Sequence, residues 1–504
     1  MTADLPLHSL STPAAGPAPS TGKLTRLNGI ALVISLQIGS GIFTVPSLVS
    51  RAVTTPVAGL SAWLLGGLLV WTGAASFVEL GLRVPRNGGI LEYMRRCYGE
   101  AAGFLFAWAW VLMAKPATNA IIATIFADYV TRPFIGEGSA GTWLLNSVAL
   151  SCIGLLTFIN GRGATAGASL ANKFLVVKLS AVGLIVLVGS LYFVLGAGDG
   201  VPATGGWSAE PPGQEPVDTW TMVGSYGAAL FGALFCYGGW ETVGFVLGDM
   251  KDPEGDLPYV INGSMTAVIV SFVLLNAALY TCLPMEVMRA SSTVSVEFAR
   301  QTLGSWGGVL LSLMVSVSAM GALNANTFAT AKLAVTASEV GYFPRILANL
   351  HAESAKEETA YLAEAMAWAP QPVGRVVEWF AASTRVLRWK EKVPIFSLLL
   401  NGLLTSVYVL TGSLSGLVPF IGVTEFSFFL ASVVGLLRLR RQDAVRPSPV
   451  TYRTWSGNPL IFCGVSTLLI ARTMITQPFL GLGVVGAGLT GFAVFRTMVQ
   501  KGLI

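Results

Sequence analysis

The sequence predicts an all-α membrane protein with twelve transmembrane helices, and three observations lead there. Only 11% of the 504 residues are charged and 53% are hydrophobic, where a soluble domain carries about 25% charged residues. Apolar runs of membrane-crossing length recur along the whole chain. Lys and Arg gather on alternate connections between those runs. The composition excludes a soluble single-core enzyme, a secreted disulfide scaffold and a disordered chain, because a surface facing water needs more polar cover than this chain can supply.

A helix needs about 20 mostly apolar residues to cross a bilayer. The runs fall near 27–50, 57–81, 102–130, 143–160, 170–196 and 221–248. They continue near 260–283, 303–338, 394–412, 415–439, 458–474 and 477–496. With the N-terminus inside, 23 Lys and Arg fall on inner segments and 4 on outer ones. That bias predicts cytoplasmic termini. It also accounts for the net charge of +5 without a nucleic-acid partner. Residues 1–26 begin as a Ser/Thr/Pro/Ala-rich stretch without the order of a secretory signal, and read as a disordered cytoplasmic tail. The connector 339–393 holds Trp368, Trp379 and Trp389 among arginines. An interfacial helix and a solvated connector both fit that pattern.

Two spans are interrupted. Span 1 carries Gln37-Ile38-Gly39-Ser40-Gly41-Ile42-Phe43, and span 6 carries Phe235-Cys236-Tyr237-Gly238-Gly239-Trp240-Glu241. Glycine weakens a helix through its backbone entropy. An unwound segment in hydrocarbon must find partners for its freed polar groups, so it lies beside a cavity or inside protein. Spans 1 and 6 each open a set of five. An odd number of spans inverts the second set relative to the first. The expected organisation is therefore a first repeat over 27–196, an inverted second over 221–439, and two further helices in 458–496. Matching breaks in inverted repeats point to a transporter binding site.

The break in span 1 restarts a helix near Gly41, whose first amides lack intrahelical acceptors and carry the positive end of the dipole. That end suits a carboxylate. The carbonyls that end the first halves, near Gln37, Phe235 and Cys236, suit an ammonium. A site offering both fits a free α-amino acid. Close packing through small residues is the plainer account of the glycines, and two related breaks weigh against it. Charges within spans are costly. Lys178 sits deep in span 5, and Glu241 directly follows the second break, so both are candidates for coupling or gating. Lys115-Pro116 reads as a kink. The five cysteines are scattered without a CxxC pair and there are two histidines. No metal, cofactor or nucleophile–base pair is therefore expected, and an enzyme is not expected.

The same residues carry a resemblance. Leu27-Asn28-Gly29 leads into Gly39-Ser40-Gly41-Ile42-Phe43 and Pro46. Pro85-Arg86-Asn87-Gly88-Gly89 is followed by Glu92-Tyr93. Tyr237-Gly238-Gly239-Trp240 is followed by Asp249-Met250, Pro253 and Leu257-Pro258. Gly321-Ala322-Leu323-Asn324-Ala325 and Phe426-Ser427-Phe428-Phe429 complete the set. From about residue 25 to 496 the chain resembles the L-type amino acid transporters of the amino acid–polyamine–organocation superfamily, most of all their fungal members. The resemblance implies alternating access, with amides of Ser40, Gly41 and Ile42 at the substrate carboxylate. It implies carbonyls of Gln37, Phe235, Cys236 and Gly238 at the ammonium. Tyr237 and Trp240 would gate or wall the pocket, and Phe428 would lie near the extracellular closure. Lys178 would stand where sodium-coupled cousins hold a cation. The matching motif Ile159-Asn160-Gly161 has no cysteine, so a disulfide-linked heavy chain is not expected. Animal relatives commonly have asparagine where this chain has Glu241, which leaves room for proton coupling or a cationic side chain.

The expected function is secondary transport of L-amino acids, large and neutral ones foremost, by exchange or proton symport, in the plasma membrane. A polyamine, choline or cationic amino acid permease of the same fold is the alternative. A non-transporting amino acid sensor is the alternative of a different class.

Overall fold

The computed structural model describes residues 25–85, 88–135, 141–162, 164–198, 200, 206–208, 219–348, 394–443 and 452–501. The expected tail up to Leu24, and the connector from residue 349 to 393, lie outside the described residues. Among the described residues the structure is helical throughout, with no β-strand. Ten helices are long and apolar enough to cross a membrane, and a bent pair at the start counts as an eleventh. Ile395–Thr411 is apolar but shorter.

The bent pair is α1 (Arg26–Gln37) and α2 (Gly41–Ala52), which meet at 46°. α3 (Pro56–Arg83) starts cleanly because Thr55 Oγ1 accepts from the Ala58 amide at 3.2 Å and Pro56 occupies the first turn. α4 (Ile90–Tyr98) is bounded by Gly89 and Gly99, both in left-handed backbone, and α5 (Glu100–Ala109) follows. α5 widens into a π-helical turn at Trp110–Ala114 and continues as α6 (Lys115–Ile135). The expected kink at Pro116 thus takes the form of a bulge. Proline has no N–H to close the helical ladder, and the Lys115 amide reaches back to the Trp110 carbonyl instead.

α7 (Thr142–Gly161), α8 (Ala164–Leu195) and α9 (Thr219–Cys236) follow, with a short 3₁₀ segment at Trp240–Asp249 beyond α9. Next come α10 (Pro253–Cys282), the short α11 (Met285–Ala290) and α12 (Val294–Glu339). α12 bends at Gly304, whose φ of 76° interrupts a run that the sequence reads as starting near 303. α13 (Ile395–Thr411), α14 (Leu414–Gln442), α15 (Gly457–Thr476) and α16 (Pro478–Gln500) complete the chain. α10 packs on α1, α3 and α8, α12 packs on α6 and α8, and α2 packs on α9. The interrupted segments therefore lie inside the bundle. Its outer faces carry exposed Leu187, Phe193, Phe479 and Leu482, as a lipid-facing surface requires.

One end of the bundle is tied by a buried ion network. Glu79 of α3 is fully buried and takes Arg440 Nε of α14 at 3.0 Å, Arg83 Nη2 at 3.0 Å and the Thr454 amide at 2.9 Å. Arg83 also reaches Asp443 at 2.8 Å, and that bond holds the Asp443 carboxyl below the usual carboxylate range. Removing one partner from a buried pair leaves an uncompensated charge and costs about 3–5 kcal/mol. Arg440→Leu is accordingly expected to lower the melting temperature of the detergent-solubilised protein by several degrees. An unchanged melting curve would mean that Arg83 and the Thr454 amide suffice for Glu79.

Candidate substrate cavity

The two interruptions meet. α1 stops at Gln37 and α2 begins at Gly41, while α9 stops at Cys236 and Tyr237–Gly239 form a turn. Gly239 adopts a left-handed φ of 105°, and a Cβ there would come 3.0–3.1 Å from the Leu36 carbonyl group. Only glycine fits this crossing. It lets the turn of the second break press on the backbone at the first.

Several freed polar groups near the breaks find particular partners. In an unbroken α1 the Ser35 carbonyl would accept from the Gly39 amide. Gly39 donates to the Gln37 carbonyl instead, at 2.9 Å. Lys178 Nζ of α8, fully buried, donates to the Ser35 oxygen at 2.7 Å in its place. Gln37 Nε2 donates to the Tyr237 carbonyl at 3.1 Å, tying the breaks together. Glu241 Oε2 accepts from the Gly239 amide at 2.8 Å. The Phe43 carbonyl, beyond the first break, accepts from Tyr129 and Ser295 hydroxyls at 2.8 and 3.1 Å. α2 is thereby fixed to α6 and α12.

Between the breaks lies a cavity. Its volume is about 100 Å³, below the roughly 300–1,000 Å³ usual for small-molecule sites. Gln37, Ser40 and Gly41 line it from the first break, and Phe235, Cys236, Gly238 and Glu241 from the second. Gln37 Oε1 and Ser40 Oγ are buried there without a hydrogen-bond partner. The Gln37 and Phe235 carbonyls each accept one backbone amide, from Gly39 and Gly238, and a carbonyl has a second lone pair to offer.

Other expected residues sit around this cavity. Ile42 is buried in the core behind it. The Tyr237 side chain turns away, donating to the Trp63 carbonyl at 2.9 Å and packing on Trp63 and Phe272. Trp240 packs edge-on against Phe77 and at a tilt against Phe429, and lines a neighbouring apolar chamber. Phe428 packs edge-on against Phe106 and Trp110, away from the cavity lining. Lys178 acts through the Ser35 carbonyl rather than from the cavity wall.

Two lining charges were not expected from the sequence. Lys115 Nζ lies 3.2 Å from Glu241 Oε1 and 3.5 Å from Glu425 Oε1 of α14, and 5.2 Å from the Trp110 ring centre. The π-helical turn just before Lys115 sets its rotation about the helix axis. Glu425 occupies the middle of a long apolar run, Val423-Thr424-Glu425-Phe426. The cost of a charge within a span, applied there, is the signal that would have found it.

The chain matches the amino acid permease family over residues 24–499. It is 24% identical to the b(0,+)-type amino acid transporter 1 of Mus musculus over 456 residues, 90% of this chain and 82% of that protein. It is 24% identical to the cystine/glutamate transporter of Homo sapiens over 480 residues, 95% and 85% of the two chains. It is 26% identical to the large neutral amino acids transporter small subunit 2 of Mus musculus over 474 residues, 90% and 80% of the two.

Two substitutions test the cavity. A Cβ on Gly41 would point toward Cys236 Sγ at 3.2 Å, so Gly41→Val fills the gap between the breaks. Its expected effect is a loss of radiolabelled amino acid binding with little change in melting temperature. Binding at the level of the unaltered protein would remove Gly41 from the site. Lys178→Met leaves the Ser35 carbonyl without its donor, at about 1–3 kcal/mol. A lower melting temperature together with weaker binding is expected, and a variant with neither effect would show that the break holds without the ammonium.

Proposed function

The chain belongs to the amino acid permease family, and we propose that it carries L-amino acids, large and neutral ones foremost, across a membrane by alternating access. The observation that carries the reading is the cavity between two touching helix breaks, with a helix start at Ser40 and Gly41 on one side and a helix end at Phe235 and Cys236 on the other. A zwitterion brings a carboxylate for the first and an ammonium for the second. Unwound backbone in the hydrocarbon zone is tolerated beside such a cavity. The relatives whose names specify large neutral amino acids or cystine and glutamate support the same substrate class.

Within this reading the chain crosses the membrane twelve times, with α1 to α8 and α9 to α14 as inverted repeats. α13 serves as a short span, and α15 and α16 stand outside the repeats. The Lys and Arg bias places both termini in the cytoplasm, and the plasma membrane is the membrane we assign. Ser40, Gly41 and Ile42 offer amides to the carboxylate. Gln37, Phe235, Cys236 and Gly238 offer carbonyls to the ammonium. Tyr237 and Trp240 brace the second break, and Phe428 packs on Trp110, whose ring lies beside Lys115. A disulfide-linked heavy chain has no attachment point on the loops that the charge bias puts outside, since none of the five cysteines lies on them.

Purified protein in vesicles preloaded with leucine is expected to take up labelled leucine by counterflow, with competition from other large neutral amino acids. Saturable leucine binding without flux would make the chain a sensor instead. Flux of choline or polyamines without competition by leucine would move it to the alternative permease class.

A further inference from the structure

The charged groups of the cavity wall do not balance. Lys115 supplies one ammonium, whereas Glu241 and Glu425 supply two carboxylates. Glu241 has a partner on each oxygen: Oε1 takes Lys115 at 3.2 Å and Oε2 takes the Gly239 amide at 2.8 Å. Both bonds hold the second break, so this carboxylate serves the backbone. Glu425 reaches the same ammonium only at 3.5 Å. It lines the polar cavity and also the apolar chamber behind it, between Val70 of α3, Phe235 of α9 and Phe462 of α15. Lys115 from α6 and Glu241 from the second break are the charged groups that act on it. α3, α9 and α15 present apolar side chains there.

An unbalanced negative charge between packed helices is costly, because removing an ion from water costs several kcal/mol unless it is paired. A neutral amino acid brings no net charge to offset it. The unpartnered Gln37 Oε1 and Ser40 Oγ in the same wall mark where the amino acid's own polar groups are received, so Glu425 is left over for something else. Resting on the reading of this cavity as an amino acid site, we propose that Glu425 makes the loaded site require one added positive charge. A proton on its carboxylate meets the requirement when the amino acid is neutral, and the side chain itself meets it when the amino acid is cationic. In the first case the proton moves from water on the loading side to a Glu425 oxygen, crosses with the amino acid, and leaves to water on the other side. No other bond changes.

The test uses the full-length protein in vesicles, with labelled leucine and labelled lysine as probes. Leucine uptake is expected to fall up to tenfold per pH unit on the alkaline side of its profile, while lysine uptake stays flat. Glu425→Gln is expected to flatten the leucine profile and to lower the lysine-to-leucine ratio of kcat/KM at least tenfold. Lysine excluded, with leucine uptake still pH-dependent, assigns the charge to the proton alone. Identical pH profiles for leucine and lysine in the unaltered protein overturn the proposal. So does a Glu425→Gln variant that keeps both profile and ratio. Should that variant fail to fold, Glu425→Asp decides: it must keep the contrast between the two substrates with a shifted leucine midpoint, and an unshifted midpoint counts against Glu425. Uptake of neither substrate by the unaltered protein would instead overturn the amino acid reading itself.

Discussion

Everything around the cavity follows from one constraint: a peptide group placed in hydrocarbon must be hydrogen-bonded. The chain interrupts two helices inside the bundle and meets that constraint with side chains from elsewhere. Lys178 of α8 takes the Ser35 carbonyl, Gln37 takes the Tyr237 carbonyl, and Glu241 takes the Gly239 amide. Each substitutes for a bond that a continuous helix would have made or that the turn leaves open. The groups not so paired are the ones left to a ligand. The cavity is therefore defined by what the protein stops short of satisfying, between Ser40 and Gly41 on one side and Phe235 and Gly238 on the other.

The partners also divide the first span into two differently held halves. α2 is fixed along its length: Tyr129 and Ser295 bond the Phe43 carbonyl, and Arg289 bonds the Ser50 and Val53 carbonyls at 2.9 and 2.7 Å. α1 is held at its ends, by the Arg26–Asp256 pair at the start and by Lys178 and Gln37 near the break. The interruption at 38–40 separates them, with Gly39 as its smallest residue.

Much of this was legible in the sequence. The helical membrane character follows from the apolar runs, the buried position of Lys178 from its depth in one of them, and the two breaks from Gly39-Ser40-Gly41 and Tyr237-Gly238-Gly239 inside two others. Hydropathy averages over some twenty residues, and that is why Glu425 escaped: one carboxylate among Val423, Phe426, Phe428 and Phe429 barely changes the mean. Lys115 escaped for another reason. Beside Pro116 it reads as part of a kink, and only the π-helical turn at Trp110–Ala114 turns it toward Glu241. Tyr237 shows the converse. Its place in the motif suggests a pocket wall, yet the turn sends its ring to Trp63 and leaves only its backbone at the break. Sequence spacing gives the position of a residue along a helix, and rotation about the axis comes from packing.

Two acidic groups of the bundle, Glu79 and Glu425, have opposite accounting, and the contrast separates structure from chemistry. Glu79 is surrounded by Arg440, Arg83 and the Thr454 amide, so its charge is met from three sides and tied to α14. Such a group gains nothing from a proton or a ligand, and losing a partner costs the fold. Glu425 shares one ammonium with a second carboxylate and opens onto a cavity. Its deficit cannot be repaired by the protein as built, because the nearest cation already serves Glu241 at the shorter distance. A carboxylate so placed is relieved by a proton of its own or by a positive charge brought beside it. In the proposed cycle, that charge arrives with the amino acid.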